Sequence, residues 1–203
     1  MNKLAIVVIV IAVAIGVSLS AYYYGVMGKG HETQTSQLSF KYPGYLPTSE
    51  IDKDFGGNWA IISNESGYIS INHSNSSVTI AYINGTKSTK PASSYPNIYN
   101  NNFYNHTLFE SVTIYYQVGN KSNKILVQVL KSDPSGSKYL NDDIVTVSKI
   151  YNKPINKIGN TSYIVIRNSL IASHNNYLII LATSNNYGSK IVELLNLTIE
   201  TLR

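Results

Sequence analysis

From residue 38 onward the chain runs in short apolar bursts separated by Asn, Ser and Gly, the pattern of strands joined by tight turns. Segments 38–42 (LSFKY), 58–63 (NWAIIS), 68–72 (YISIN) and 77–83 (SVTIAYI) are β-branched or aromatic. Two of them, YISIN and VTIAYI, alternate strictly, which predicts one buried and one wet face. Residues 84–106 then read as a long polar loop with a helical turn near Tyr99 to Phe103. Residues 110–119 and 123–132 form a hairpin pattern, and DPSG at 133–136 has the Pro and Gly positions of a β-turn. Segments 143–151, 161–168 and 176–184 predict three more strands.

The period changes at the end of the chain. Ile191, Leu194, Leu195, Thr198 and Leu202 share one face at 3.6-residue spacing, behind Ser189 as a possible N-cap. Together these elements predict an α+β domain, a mostly antiparallel sheet with a C-terminal helix packed on one face. No internal repeat and no second domain is visible.

The beginning of the chain has a different pattern. Leu4 to Val17 is apolar throughout and follows Lys3. Ser18 and Ser20 stand at −3 and −1 of a possible signal-peptidase cut. Read to Met27, the same segment is an uncharged hydrophobic helix, long enough at about 1.5 Å per residue to cross a bilayer core of roughly 30 Å. Tyr22, Tyr23 and Tyr24 would then line the membrane interface. Residues 1–27 are thus an anchor or a signal peptide, 28–37 a polar spacer, and 38–203 an extracytoplasmic domain. Both readings export the domain; retention in the cell membrane, facing the exterior, is preferred, and a cut after Ser20 would secrete it.

Composition narrows the classes. Of 203 residues only 13% are charged, and cysteine is absent. That excludes a disulfide framework and thiolate chemistry. The net charge of +5 comes from dispersed lysines with only two arginines, Arg167 and Arg203, which argues against nucleic-acid binding. Polarity rests on 23 Asn, 25 Ser, 13 Thr and 17 Tyr. Such a surface has few carboxylates to lose as pH falls through about 4, so the domain is expected to be acid-stable. In this it resembles surface proteins of acidophilic archaea.

The Asn-rich composition also bears on modification. N-x-[S/T] occurs at Asn64, Asn72, Asn75, Asn84, Asn105, Asn120, Asn160 and Asn196, against about four expected from random placement of these residue types. Most lie between predicted strands, where a glycan acceptor should be. Asn196 sits inside the apolar helix pattern and is expected to remain bare.

Three stretches carry a family likeness: SFKYPGYL near the domain start, the following NWAI, and NNYLIILATSNNYGSKIVELLNLTIETL at the end. Together they resemble the PsbP/Mog1-like α+β domains, which open on an aromatic–x–Tyr–Pro strand with a nearby Trp and close on a Tyr-led strand and helix. Here Trp59 lies further from Pro43 than that pattern has it. The resemblance implies a non-catalytic binding or assembly module and supplies no catalytic residue.

Chemistry is sparse. His31, His73, His106 and His174 stand apart in polar contexts, without zinc-site spacing. No G-x-S-x-G elbow or phosphate loop occurs, although a Ser–His–Asp group assembled from distant loops is compatible with the sequence. Asp52, Asp54 and Gly57 match the first half of a calcium loop, but Gly56 and Ser63 stand where ligands belong. Asp52 and Asp54 are the only metal candidates, and no cofactor is implied. Trp59 and the tyrosines are expected to pack in core and cross-strand pairs.

The expected function is therefore a membrane-anchored, N-glycosylated extracellular domain that binds or assembles and does not catalyse. Its partners would be the membrane, through the N-terminal helix, and other surface proteins or copies of itself. The alternative is a secreted filament or cell-envelope subunit that lends its freed N-terminal strand to a neighbour. A secreted hydrolase is the third reading.

Overall fold

The computed structural model describes residues 41–94 and 106–202. The expected N-terminal helix, the spacer, Tyr22 to Tyr24, most of segment 38–42, Asn105 and the helical turn near Tyr99 lie outside the described residues. Ten strands and three helices are described: α1 (Thr48–Phe55), β1 (Trp59–Ile61), β2 (Gly67–Asn72), β3 (Ser77–Tyr82), β4 (Lys87–Pro91), β5 (Thr107–Gln117) and β6 (Asn120–Ser132), followed by α2 (Ser137–Tyr151), β7 (Asn156–Ile158), β8 (Thr161–Ile166), β9 (Ser169–His174), β10 (Tyr177–Thr183) and α3 (Lys190–Glu200).

The strands form one antiparallel sheet in the order β4-β3-β2-β5-β6-β10-β9-β8-β7. Strand β1 lies end to end with β2 along the same side of β5, Trp59 opposite Gln117 and Gly67 opposite Val112. Between the two pieces the chain loops out. The Ser66 hydroxyl accepts the Ile114 N–H there, and its carbonyl accepts that of Ile83. A backbone donor left by the break in pairing is thus satisfied.

Both faces of the sheet are covered. On one face, Ile51 and Phe55 of α1 and Ile191, Leu194, Leu195 and Ile199 of α3 pack on Tyr115, Ile125, Val127, Val129, Leu170, Ile179 and Leu181. On the other, Leu140, Ile144 and Val147 of α2 pack on Leu130, Ile164 and Leu178. A third apolar cluster, Ile69, Ile71, Val78, Ile80, Tyr82 and Ala92, belongs to β2, β3 and the turn after β4. Alternation along β2, β5, β6 and β10 puts its strand residues on the α2 face too.

This corrects the expected architecture of a sheet with a single C-terminal helix on one face. The described residues hold three short α-helices, and they flank both faces. Segment 143–151 is helical, not extended. Its Val, Thr and Ile residues suggest a strand, but Leu140, Ile144 and Val147 recur at helical spacing, and Asn152 ends the helix in a left-handed conformation (φ 50°). Tertiary burial outweighs β-branched propensity there. Helix α1 escapes the pattern because it is one short amphipathic element with two buried side chains, Ile51 and Phe55. Residues 87–91, expected as loop, form the edge strand β4, which pairs with β3 across an Asn84–Gly85 turn. Of the expected first strand, Lys41 and Tyr42 are not extended in the sheet. Ile191, Leu194, Leu195 and Thr198 of the predicted α3 face are buried, Leu202 lies half-buried just past the helix, and Ser189 stands at the N-cap position but makes no side-chain cap bond.

Candidate functional site

Strand β5 sits mid-sheet, paired with β1 and β2 along one edge and with β6 along the other. Ser111, Thr113 and Tyr115 face the segment entering at Tyr42. The Ser111 hydroxyl donates to the Pro43 carbonyl at 2.5 Å, and the Thr113 and Tyr42 hydroxyls share a bond of 2.8 Å. The Tyr115 hydroxyl donates to the Leu46 carbonyl at 2.8 Å and accepts the Leu46 N–H at 3.0 Å. Between them Gly44 turns with φ 84°; a Cβ there would stand 2.6 Å from a Val129 methyl, so glycine alone lets the backbone approach. Burial pushes the Tyr42 and Tyr115 phenols upward, which keeps them neutral donors.

The opposite face of β5 carries Glu110, only 1% exposed. It stands across from Ile69 of β2 and Leu130 of β6. Its Oε1 accepts from Gln128 Nε2 at 2.8 Å, while Oε2 is buried without a partner. Burial raises its carboxyl to about 7, and the Gln128 bond pulls weakly the other way. Glu110 has one described hydrogen-bond partner, Gln128, which is a neutral amide. Sequence reasoning missed it, although a signal was present: Glu110 shares its parity with Val112 and Ile114 in an alternating strand.

The fold does bring a serine, a histidine and an aspartate together. His106 Nδ1 lies 3.1 Å from both Asp133 Oδ2 and Ser135 Oγ, and the Ser135 hydroxyl donates to Asp133 Oδ1 at 2.7 Å. Catalysis by such a trio needs serine on one ring nitrogen and aspartate on the other. Here both crowd the same nitrogen, and the hydroxyl proton points at the carboxylate. The group instead shapes the start of α2: Asp133 Oδ1 also accepts the Gly136 N–H at 2.7 Å, and Tyr139 stacks on the His106 ring. The Ser135 bond, ahead of the Gly136 and His106 interactions, holds the Asp133 carboxyl down at about 2.

The metal candidates separate. Asp52 and Asp54 lie in α1, whose helical backbone cannot wrap a cation as a calcium loop does. The Asp52 carboxylate accepts the Trp59 N–H at 2.7 Å, which fixes the turn into β1. The Trp59 indole donates to the Gly56 carbonyl at 2.8 Å. Asp54 contributes its carbonyl to the Lys190 ammonium. Among the described residues no group of three His, Asp or Glu side chains is placed to hold a metal. His73 is exposed and touches the Thr107 carbonyl, and His174 bonds Thr161 from within β9. His31 lies outside the described residues.

The described sequon asparagines Asn64, Asn72, Asn75, Asn84, Asn120 and Asn160 are all exposed and sit at or beside strand-connecting turns; Asn196 is exposed on α3. Asn72 Oδ1 accepts the Ser74 and Asn75 N–H groups, and Asn84 Oδ1 accepts that of Thr86. Tying down the oxygen orients the amide nitrogen, the atom a glycan would occupy. Asn160 differs, its nitrogen donating to Asn175 Oδ1 at 2.8 Å. Tyr42, Tyr45, Tyr68 and Phe109 form a contiguous aromatic cluster, with Tyr68 stacked on Phe109 at 5.4 Å.

No family model, curated protein or solved structure matches this chain. The PsbP/Mog1-like likeness therefore rests on the quoted residues alone.

Proposed function

We propose that the protein is a membrane-anchored, N-glycosylated extracellular domain that binds or assembles with surface partners and does not catalyse. The observation that carries this reading is the placement of six sequon asparagines at exposed turns, which leaves both covered faces of the sheet intact. The anchor is the apolar segment before residue 28, outside the described residues. Among the described residues no helix is long and apolar enough to cross a membrane. Glycopeptide mass spectrometry on protein from its native membranes tests the reading. Occupied Asn72, Asn84 and Asn120 and an N-terminus at Met1 are expected. Bare asparagines throughout would overturn it.

A second reading, the filament or envelope subunit, has one observation in its favour. The outer edge β4 is protected by Lys87, Lys90 and Pro91, but on the far side β7 pairs β8 only as far as Tyr163. Ile164 to Ile166 thus has no described strand on its outer side and would accept one from a neighbour. An N-terminus at Ala21 in the native protein, together with polymers on a sizing column, would favour this alternative.

A further inference from the structure

Glu110 has no role in the proposed binding function, yet it is an acid buried in the middle of the sheet. Sheet register places it between the two apolar clusters of the α2 face: Ile69, Ile71, Val78 and Ile80 on one side, Leu130, Leu178 and Ile164 on the other. We propose that Glu110 is an acid-set latch: protonated, it joins the β2–β4 half of the sheet to the helix-bearing half, and ionised, it loosens that seam. The geometry requires a neutral group. A buried carboxylate with one oxygen unpaired carries a desolvation cost that a single amide bond cannot offset.

Among the described residues no charge nearby changes this. The strand residues flanking Glu110 are Ile69, Gln128 and Leu130. From α2 the sheet receives Leu140, Ile144 and Val147, while Lys138, Asp142, Asp143 and Lys149 are exposed. On β5 itself the other titratable groups are Tyr115, on the opposite face, and Tyr116, six residues further on. Tyr82 of β3 shares the Glu110 face, and His106, just before the strand, is bound to Asp133. On the same face Lys90 lies out on the edge strand β4, opposite Val78, and Lys124 near the far end of β6 is exposed.

The sign follows from the direction of the shift. The folded protein holds the Glu110 proton to about 7, whereas the unfolded chain releases it near 4.5. Between those values the folded state binds more protons, so stability is full below about 4.5 and falls as pH rises towards 7. Asp143, raised by desolvation and then by Asp142, acts in the same direction from the surface of α2. Asp133, held low, acts in the opposite direction and only at pH below its ordinary value of 3.8. An exterior domain with this latch is firmest in acid.

The test uses the full chain in detergent. Unfolding is followed by the buried Trp59, the only tryptophan, at pH 4.5 and 7.5, for wild type and Glu110→Gln. The wild-type folding constant should drop about 100-fold across that interval relative to the variant, an effect of roughly two pKa units. Hydrogen exchange on the wild type localises the effect and stands even if the variant fails to fold. After correction for intrinsic rates, amides of β2 and β3 should lose protection between pH 4.5 and 7.5 well before those of β10. Parallel pH profiles for the two proteins, or unchanged protection in β2 and β3, would overturn the latch.

Discussion

The two faces of β5 differ in how buried polarity is handled. On one face, Ser111, Thr113 and Tyr115 meet the 42–46 segment, and each hydroxyl has a partner. On the other, Glu110 has a partner for one oxygen and none for the second. Matched neutral groups hold the first face together at any ordinary pH, because their partners do not titrate there. An unmatched acid makes the second face conditional. Burying a polar group is thus tolerable or costly according to whether its whole valence is met.

The comparison breaks most visibly if the matched face is hollowed. Leu195→Ala removes a fully buried side chain between α3 and the sheet and should cost about 3–4 kcal/mol, read as a loss in the denaturant midpoint at every pH. Tyr115→Phe keeps the ring but strands the Leu46 N–H and carbonyl. It should cost about 2–3 kcal/mol, with no difference between pH 4.5 and 7. Glu110→Gln should reverse the usual sign: stabilising on the order of 2–3 kcal/mol at pH 7.5 and near neutral at pH 4.5. Asp133→Ala should cost about 1 kcal/mol by releasing the Gly136 N–H in the turn that leads into α2, and the loss should disappear as pH falls through about 2, where the wild-type carboxyl is itself protonated. A pH-dependent Tyr115→Phe, or a pH-independent Glu110→Gln, would erase the distinction between the faces.

Much of the sheet was legible in the sequence, because its strands are apolar, β-branched runs set off by turn residues. Strands β2 and β3 follow from alternation, the β5–β6 hairpin, β8 and β10 from β-branched and apolar runs between turn residues, and the buried face of α3 from 3.6 spacing. Helix α2 was hidden by its β-branched residues, and α1 by its brevity. Strand β9 (SLIASH) was hidden because it follows β8 across only Arg167 and Asn168, with Arg167 in a left-handed conformation at φ 53°. Strand β4 could have been found from Asn84–Gly85, a strong hairpin signal. The site was less legible. Asp52 and Asp54 have cation-loop spacing, but the backbone between them is helical. The approach of His106, Ser135 and Asp133 depends on the β5 and β6 termini meeting at the sheet end, which no local pattern encodes. Glu110 required knowing that β5 pairs β2 on one side and β6 on the other, which sets it between Ile69 and Leu130, and no local pattern encodes that pairing.

The most direct measurement is the ionisation of Glu110 itself in the folded protein. With glutamate carboxyl carbons labelled and the Glu110 resonance assigned from Glu110→Gln, a carboxyl titration by NMR reads it alone. The account predicts a midpoint near 7, with the β2 and β3 amides shifting over the same interval. A midpoint near the ordinary 4.5, with those amides unmoved, would contradict it.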